Sequence, residues 1–266
     1  MGEDAETREE ALTALAEFRA ELAIRHAILG FDMDEEDALE LVQNMDINTL
    51  TDEEREQRER LIAAISNLIE FSVCAEYHLM KDTEALGNED TDWSSEDSDW
   101  MIPFLALNTK YNDVYMDVEN SDIEYCMAMA AMWIKWNKDT TLIYMTQNDD
   151  RVRPWHFALQ GFTARRDDFP AWMIPPIEWA CRCYLISDNN DIEIGGKLDI
   201  QKVKGEFLNI TSQEPQTPSQ LSGVFKESVC KCGRIFSDEH PYFEVDDADV
   251  SLLNSVVEKI RRKYYG

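Results

Sequence analysis

The sequence predicts an α+β chain: an acidic helical hairpin over residues 1–87, an acidic linker over 88–100, and a mixed α+β domain with a small sheet over 101–266. Three observations carry that expectation. Apolar residues recur at helical spacing through most of the first 87 positions. The stretch GNEDTDWSSEDSDW at 87–100 combines Gly, Ser and acidic residues with no aliphatic side chain, the composition of an exposed linker. Beyond it, segments rich in β-branched and aromatic residues follow a helical pattern, as strands do.

The elements follow in order. Asp4 to Leu29 is predicted as one helix whose apolar stripe is Ala11, Leu15, Phe18, Leu22 and Leu29, ended by Gly30. A short helix follows around Glu35 to Met45. Thr51 is predicted to cap a longer helix, with Asp52, Glu53 and Glu54 in the first turn where they complement the macrodipole. Its stripe is Leu61, Ile65, Leu68, Ser72/Val73 and Tyr77/Met80. Neither long helix can bury its stripe alone, so the two are expected to pair antiparallel, with room for a partner helix from another protein. Past the linker, Met116 to Trp136 is predicted as a helix rich in Ala and Met. Met116, Met127, Met129 and Met132 suit an adaptable core or contact surface. Thr140 to Thr146, Cys181 to Ile186 and Phe207 to Ile210 are predicted strands, Asn148 to Asp150 a turn, Gln213 to Ser222 a loop, and Val250 to Tyr264 a closing amphipathic helix with Lys and Arg in its last turns.

Length and charge bound the function. A chain of 266 residues, 44% hydrophobic, can bury a core without disulfides or metal. No apolar stretch approaches the roughly 18–20 residues that span a bilayer, so no membrane role is expected. The acidic start, MGEDAETREEALTAL, predicts neither a signal peptide nor a myristoylation site. Net charge is −29, and residues 1–100 carry 29 acidic against 7 basic side chains, a charge of −22. Phosphate backbones demand clustered cations, so the amino-terminal part is not a DNA-binding surface. Its acidic helices read as a solvated face or as a docking surface for a basic partner. The six cysteines, Cys74, Cys126, Cys181, Cys183, Cys230 and Cys232, are expected to be reduced thiols.

Residues 149–183 read DDRVRPWHFALQGFTARRDDFPAWMIPPIEWACRC. This resembles the signature of the Mu F-like, head-morphogenesis proteins of tailed phages: D-x-R-V-R-x-x-H-x-x-L-x-G, then a Trp, a Pro-Pro pair and C-R-C. The matching residues are Asp149, Arg151, Val152, Arg153, His156, Leu159, Gly161, Trp172, Pro175, Pro176, Cys181, Arg182 and Cys183. The helix with Tyr111, Asn112, Met127, Ala130, Ala131 and Trp136, and the segment GRIFSDEHPYF at 233–243, resemble the flanks of a subgroup from phages of gut Bacteroidetes. The similarity spans about residues 105–245. The chain departs from the pattern at Ala180, where relatives usually carry Asn, and near Ile177 and Glu178, where Gly or Asn is usual. The resemblance implies a minor capsid protein of the virion head, assembled in the host cytoplasm and associated with the portal or other capsid proteins, with self-association open.

The same residues carry a physical reading. The Asp149 carboxylate is placed to take paired hydrogen bonds from Arg151 or Arg153 and lock a loop. Gly161 is expected at positive φ, and Pro175 and Pro176 to fix an extended segment that returns Trp179 and Cys181-Arg182-Cys183 to the core. His156, Cys181 and Cys183, with Cys230 or Cys232, could supply zinc with four N/S ligands. Against this, C-x-C is a poorer zinc spacing than C-x-x-C. The favoured reading is therefore a buried, hydrogen-bonded histidine among apolar thiols, with no cofactor. Cys181 or Cys183 with His156 and Asp149 could be drawn as a hydrolase triad, yet neither a nucleophile elbow nor a phosphate loop accompanies it, and no enzyme is expected. His26, His78 and His240 are read as structural. The competing functions are a metal- or thiol-dependent phage effector and an acidic DNA mimic.

Overall fold

A computed structural model describes residues 2–87, 100–188 and 224–265. The linker at 88–99, the strand expected at Phe207 to Ile210 and the loop at Gln213 to Ser222 lie outside the described residues. The helices are α1 (Gly2–Gly30), α2 (Glu35–Gln43), α3 (Asp52–Glu84), α4 (Met101–Asn108), α5 (Met116–Lys135), α6 (Pro154–Phe157), α7 (Val229–Cys232) and α8 (Val250–Tyr265). A π-helical segment, Thr109–Tyr115, runs α4 into α5. Strands β1 (Thr141–Met145), β2 (Thr163–Arg165) and β3 (Tyr184–Ser187) form an antiparallel sheet in the order β2-β1-β3. Register pairs Leu142 with Ala164 and Tyr144 with Leu185. β1 is central, and Leu142 through Met145 are all buried. The chain is thus α+β with a small sheet, as its sequence predicts.

Local chemistry explains several boundaries. The Thr51 hydroxyl accepts from Glu54 N at 3.2 Å while Glu54 returns a carboxylate oxygen to Thr51 N at 2.7 Å, a reciprocal cap that starts α3. Asp34 caps α2 by accepting from Glu36 N. Gly30 closes α1 where a Cβ would stand 2.1 Å from the Glu124 carbonyl oxygen, so α1 approaches α5 too closely for any other residue.

α1 and α3 pair antiparallel, with Arg8 near Glu84 and Arg19 near Glu76. α3 buries the expected stripe, Leu61, Ile65, Leu68, Val73 and Tyr77. α1 does not: its buried face is Leu12, Ala16, Ala20, Ala23, Ile24, Ala27 and Ile28, while Phe18 and Leu29 are each 64% exposed and Leu15 is also exposed. The reason is geometric. α1 packs along both α3 and α5, and small alanines let the backbones come close where a row of Leu and Phe would hold them apart.

One buried apolar cluster joins α1, α3, α5, the sheet and α8. α8 lies across α3 and α1, where Lys259 meets Glu9 at 2.8 Å and Lys263 meets Glu17 at 2.7 Å. The first basic partner of the acidic helices is therefore the chain's own last helix. At the centre of the helices Arg19, 2% exposed, donates to Glu76 (3.0 Å), Glu119 (2.7 Å) and the Tyr111 carbonyl. Among the described residues no helix is long and apolar enough to cross a membrane.

Candidate functional site

The motif residues gather around the outer end of β3. The strand expected from Cys181 begins only at Tyr184; residues 181–183 are irregular and follow Ala180 at φ 53°. That left-handed residue reorients the chain just before the two thiols. α5 holds the turn: both carboxylate oxygens of Asp122 accept from Ala180 N, at 2.8 and 3.1 Å, and the Tyr125 hydroxyl donates to the Cys183 carbonyl. Gln147 donates to the Arg182 carbonyl at 3.1 Å.

As a result both thiols face the same histidine. His156, on the short helix α6, places Nδ1 3.6 Å from Cys181 Sγ and 3.4 Å from Cys183 Sγ, and all three residues are buried. Residues two apart in extended chain share a face, and Cys181 and Cys183 do so here in the segment just before β3. Nε2 of His156 faces Glu178 Oε2 at 3.3 Å, short of a well-aligned hydrogen bond. Glu178 is in turn held by Arg153 Nε at 2.9 Å, and Arg153 donates to the Trp179 carbonyl. The two thiols are held unequally: hydrogen bonding from Cys183, reinforced by His156, favours the thiolate at Cys181, and its partner Cys183 is pushed up. The hydroxyl of Tyr144, buried beside them, also has its pKa raised by burial.

Other sequence-derived roles shift. Asp149 pairs with neither side chain expected: its two carboxylate oxygens accept from Arg182 at 2.7 and 2.9 Å, and Oδ1 also takes Arg151 N. The hydrogen bond from Arg182 holds the Asp149 carboxyl below its usual range. Gly161 has φ 82°, and its N–H donates to the Tyr144 carbonyl at 2.8 Å. The Pro175–Pro176 bond is cis, and Trp179 beyond it packs edge-on against Phe225 and His240. Cys230 and Cys232 lie on α7 and do not join the histidine; the described His/Cys cluster is His156, Cys181 and Cys183.

Residues 124–186 match the family described as Phage Mu protein F like protein. That stretch of the chain is Mu F-like. No curated protein and no solved structure matches it. The Mu F-like stretch runs from mid α5 through β1 and β2 into β3, and so contains His156, both thiols and their Glu178, Arg153 and Tyr144 neighbours. It lies inside the 105–245 span of the sequence resemblance; the flanks on either side stand outside the match. Sequence reasoning missed β2, the π-helical segment and the Arg19 centre. The last had a signal: a lone arginine in the Ala-rich face of α1.

The carboxy-terminal flank is nonetheless fastened to the helices. Asn67 of α3 donates to the Phe236 carbonyl at 3.0 Å and accepts from Ile235 N and Phe236 N at 2.9 and 2.8 Å. Phe236 stacks on Phe71 at 4.1 Å, and His240 Nδ1 accepts from Tyr242 N.

Proposed function

We propose that this Mu F-like chain is a minor head protein that acts through protein contacts, bound to the portal or the inner surface of the capsid and assembled in the host cytoplasm. The observation that carries the reading is the match over 124–186. A catalytic site needs substrate access, and His156, Cys181 and Cys183 are all buried. The exposed Leu15, Phe18 and Leu29 on α1 supply apolar contact area framed by Glu10, Glu17 and Glu21, which suits a partner with an apolar ridge and basic rim.

Co-expression with the portal protein of the same phage, followed by crosslinking and mass spectrometry, tests the reading. The expected result is a co-purifying complex with crosslinks, weakened by the pair Leu15→Ser and Phe18→Ser while the melting temperature stays put. Failure to associate with portal or capsid protein would contradict it.

A thiol-dependent effector is the second reading. It is favoured by the low pKa of Cys181 beside His156, an arrangement that can activate a nucleophile. Burial disfavours it, and slow alkylation of Cys181 in the folded chain would count against it.

A further inference from the structure

We propose that His156 Nδ1, Cys181 Sγ and Cys183 Sγ form a zinc site that clasps α6 to the segment entering β3. A tetrahedral zinc with Zn–N of roughly 2.0–2.1 Å and Zn–S of about 2.3 Å holds its nitrogen and sulfur ligands about 3.6 Å apart. The two Nδ1–Sγ distances here are 3.4 and 3.6 Å, and the three ligand atoms lie within 4.8 Å of one another. A metal of that size therefore fits between the donors with little movement.

Donor chemistry points the same way. One imidazole with two thiolates is a borderline-soft set that suits zinc over calcium or magnesium, which take oxygen. Two thiolates balance the charge of one Zn²⁺, so the buried centre is neutral once loaded, and any proton the pair still holds is released to solvent on loading. His156 is already aimed as a ligand. Its Nε2 lies 3.3 Å from Glu178 without a well-aligned hydrogen bond, close enough that a small ring rotation would make the carboxylate-histidine pair that orients metal ligands, and Arg153 steadies that carboxylate. The main chain is arranged for it as well, since Ala180 at φ 53°, held by Asp122, brings both thiols to one side. Three protein donors leave one tetrahedral position. The buried Tyr144 hydroxyl, which makes no well-formed hydrogen bond, lies near both thiols.

The site is tested on the full chain, purified reduced and metal-free, its fold verified by circular dichroism, and titrated with cobalt(II) and then zinc. The expected result is one cobalt per chain with thiolate-to-cobalt charge transfer and the intense visible bands of a tetrahedral ion, displaced by one equivalent of zinc. Glu178→Gln is expected to keep that spectrum while weakening affinity about 10- to 100-fold, the effect of losing an orienting carboxylate. Cys183→Ser is expected to lose the charge-transfer band, and Cys232→Ser to change nothing. If Cys183→Ser does not fold, the titration of the unaltered chain still decides. A folded chain that gives no tetrahedral cobalt bands, or one isolated with Cys181 and Cys183 joined as a disulfide, overturns the proposal.

Discussion

Ala180 shows how a single residue can record a geometric demand that its side chain does not ease. Its φ of 53° lies in the left-handed region, where a Cβ costs about 1–2 kcal/mol and where Asn or Gly is tolerated. The resembling family usually has Asn or a similar residue at this point, so the departure falls on a strained backbone position. Ala180→Gly is expected to stabilise the chain by about 1 kcal/mol in urea unfolding, since the donor to Asp122 is kept. No gain, or a loss, would mean that the surroundings already offset the strain. His240 gives a second residue-scale test. Burial, with His78 of α3 and Arg19 of α1 opposing a further positive charge, depresses its pKa from 6.5 to about 4. An unfolded histidine protonates near 6.5 and the folded one only near 4. The stabilisation is therefore complete above pH 6.5 and lost as pH falls toward 4, amounting to about 3 kcal/mol at most. Chemical unfolding at pH 7.5 and 4.5 should show His240→Asn losing less stability on acidification than the parent chain; equal losses would refute the assignment.

Among the helices, the deciding interaction is polar. Arg19 of α1 reaches Glu76 of α3 and Glu119 of α5, so one guanidinium sets the register of three helices. Burial raises the pKa of Glu119, against the pull of Arg19. Arg19→Met alone strands two buried carboxylates and is expected to cost about 3–5 kcal/mol. Adding Glu76→Gln and Glu119→Gln should recover at least half of that loss, measured by urea unfolding. A single variant as stable as the parent would show that the centre is not a pin. This level also explains what the sequence hid. The stripe of α3 was legible because one face meets the core, and Thr51 with Glu54 spelled out its cap. α1 was misread because two helices compete for it, and closeness of approach selected the alanine face over the larger Leu and Phe residues. β2 was invisible because three residues, Thr163 to Arg165, carry no periodicity.

Across the whole molecule, the α+β class and the position of the motif were readable, whereas the arrangement of the motif was not. D-x-R-V-R, His156 and C-R-C named the right residues, but spacing could not show that Asp149 would take Arg182 or that Ala180 would turn two thiols toward one imidazole. Those outcomes depend on α5, more than fifty residues earlier in the chain, through Asp122 and Tyr125. Nor could composition show that α8 would neutralise part of the acidic helices. Whether this chain belongs to the phage head is tested most directly by quantitative mass spectrometry of purified, DNA-filled particles. The expected result is the intact chain in low copy number, comparable to the portal and far below the major capsid protein; absence from particles, with abundance in the infected-cell lysate, would contradict the head-protein reading.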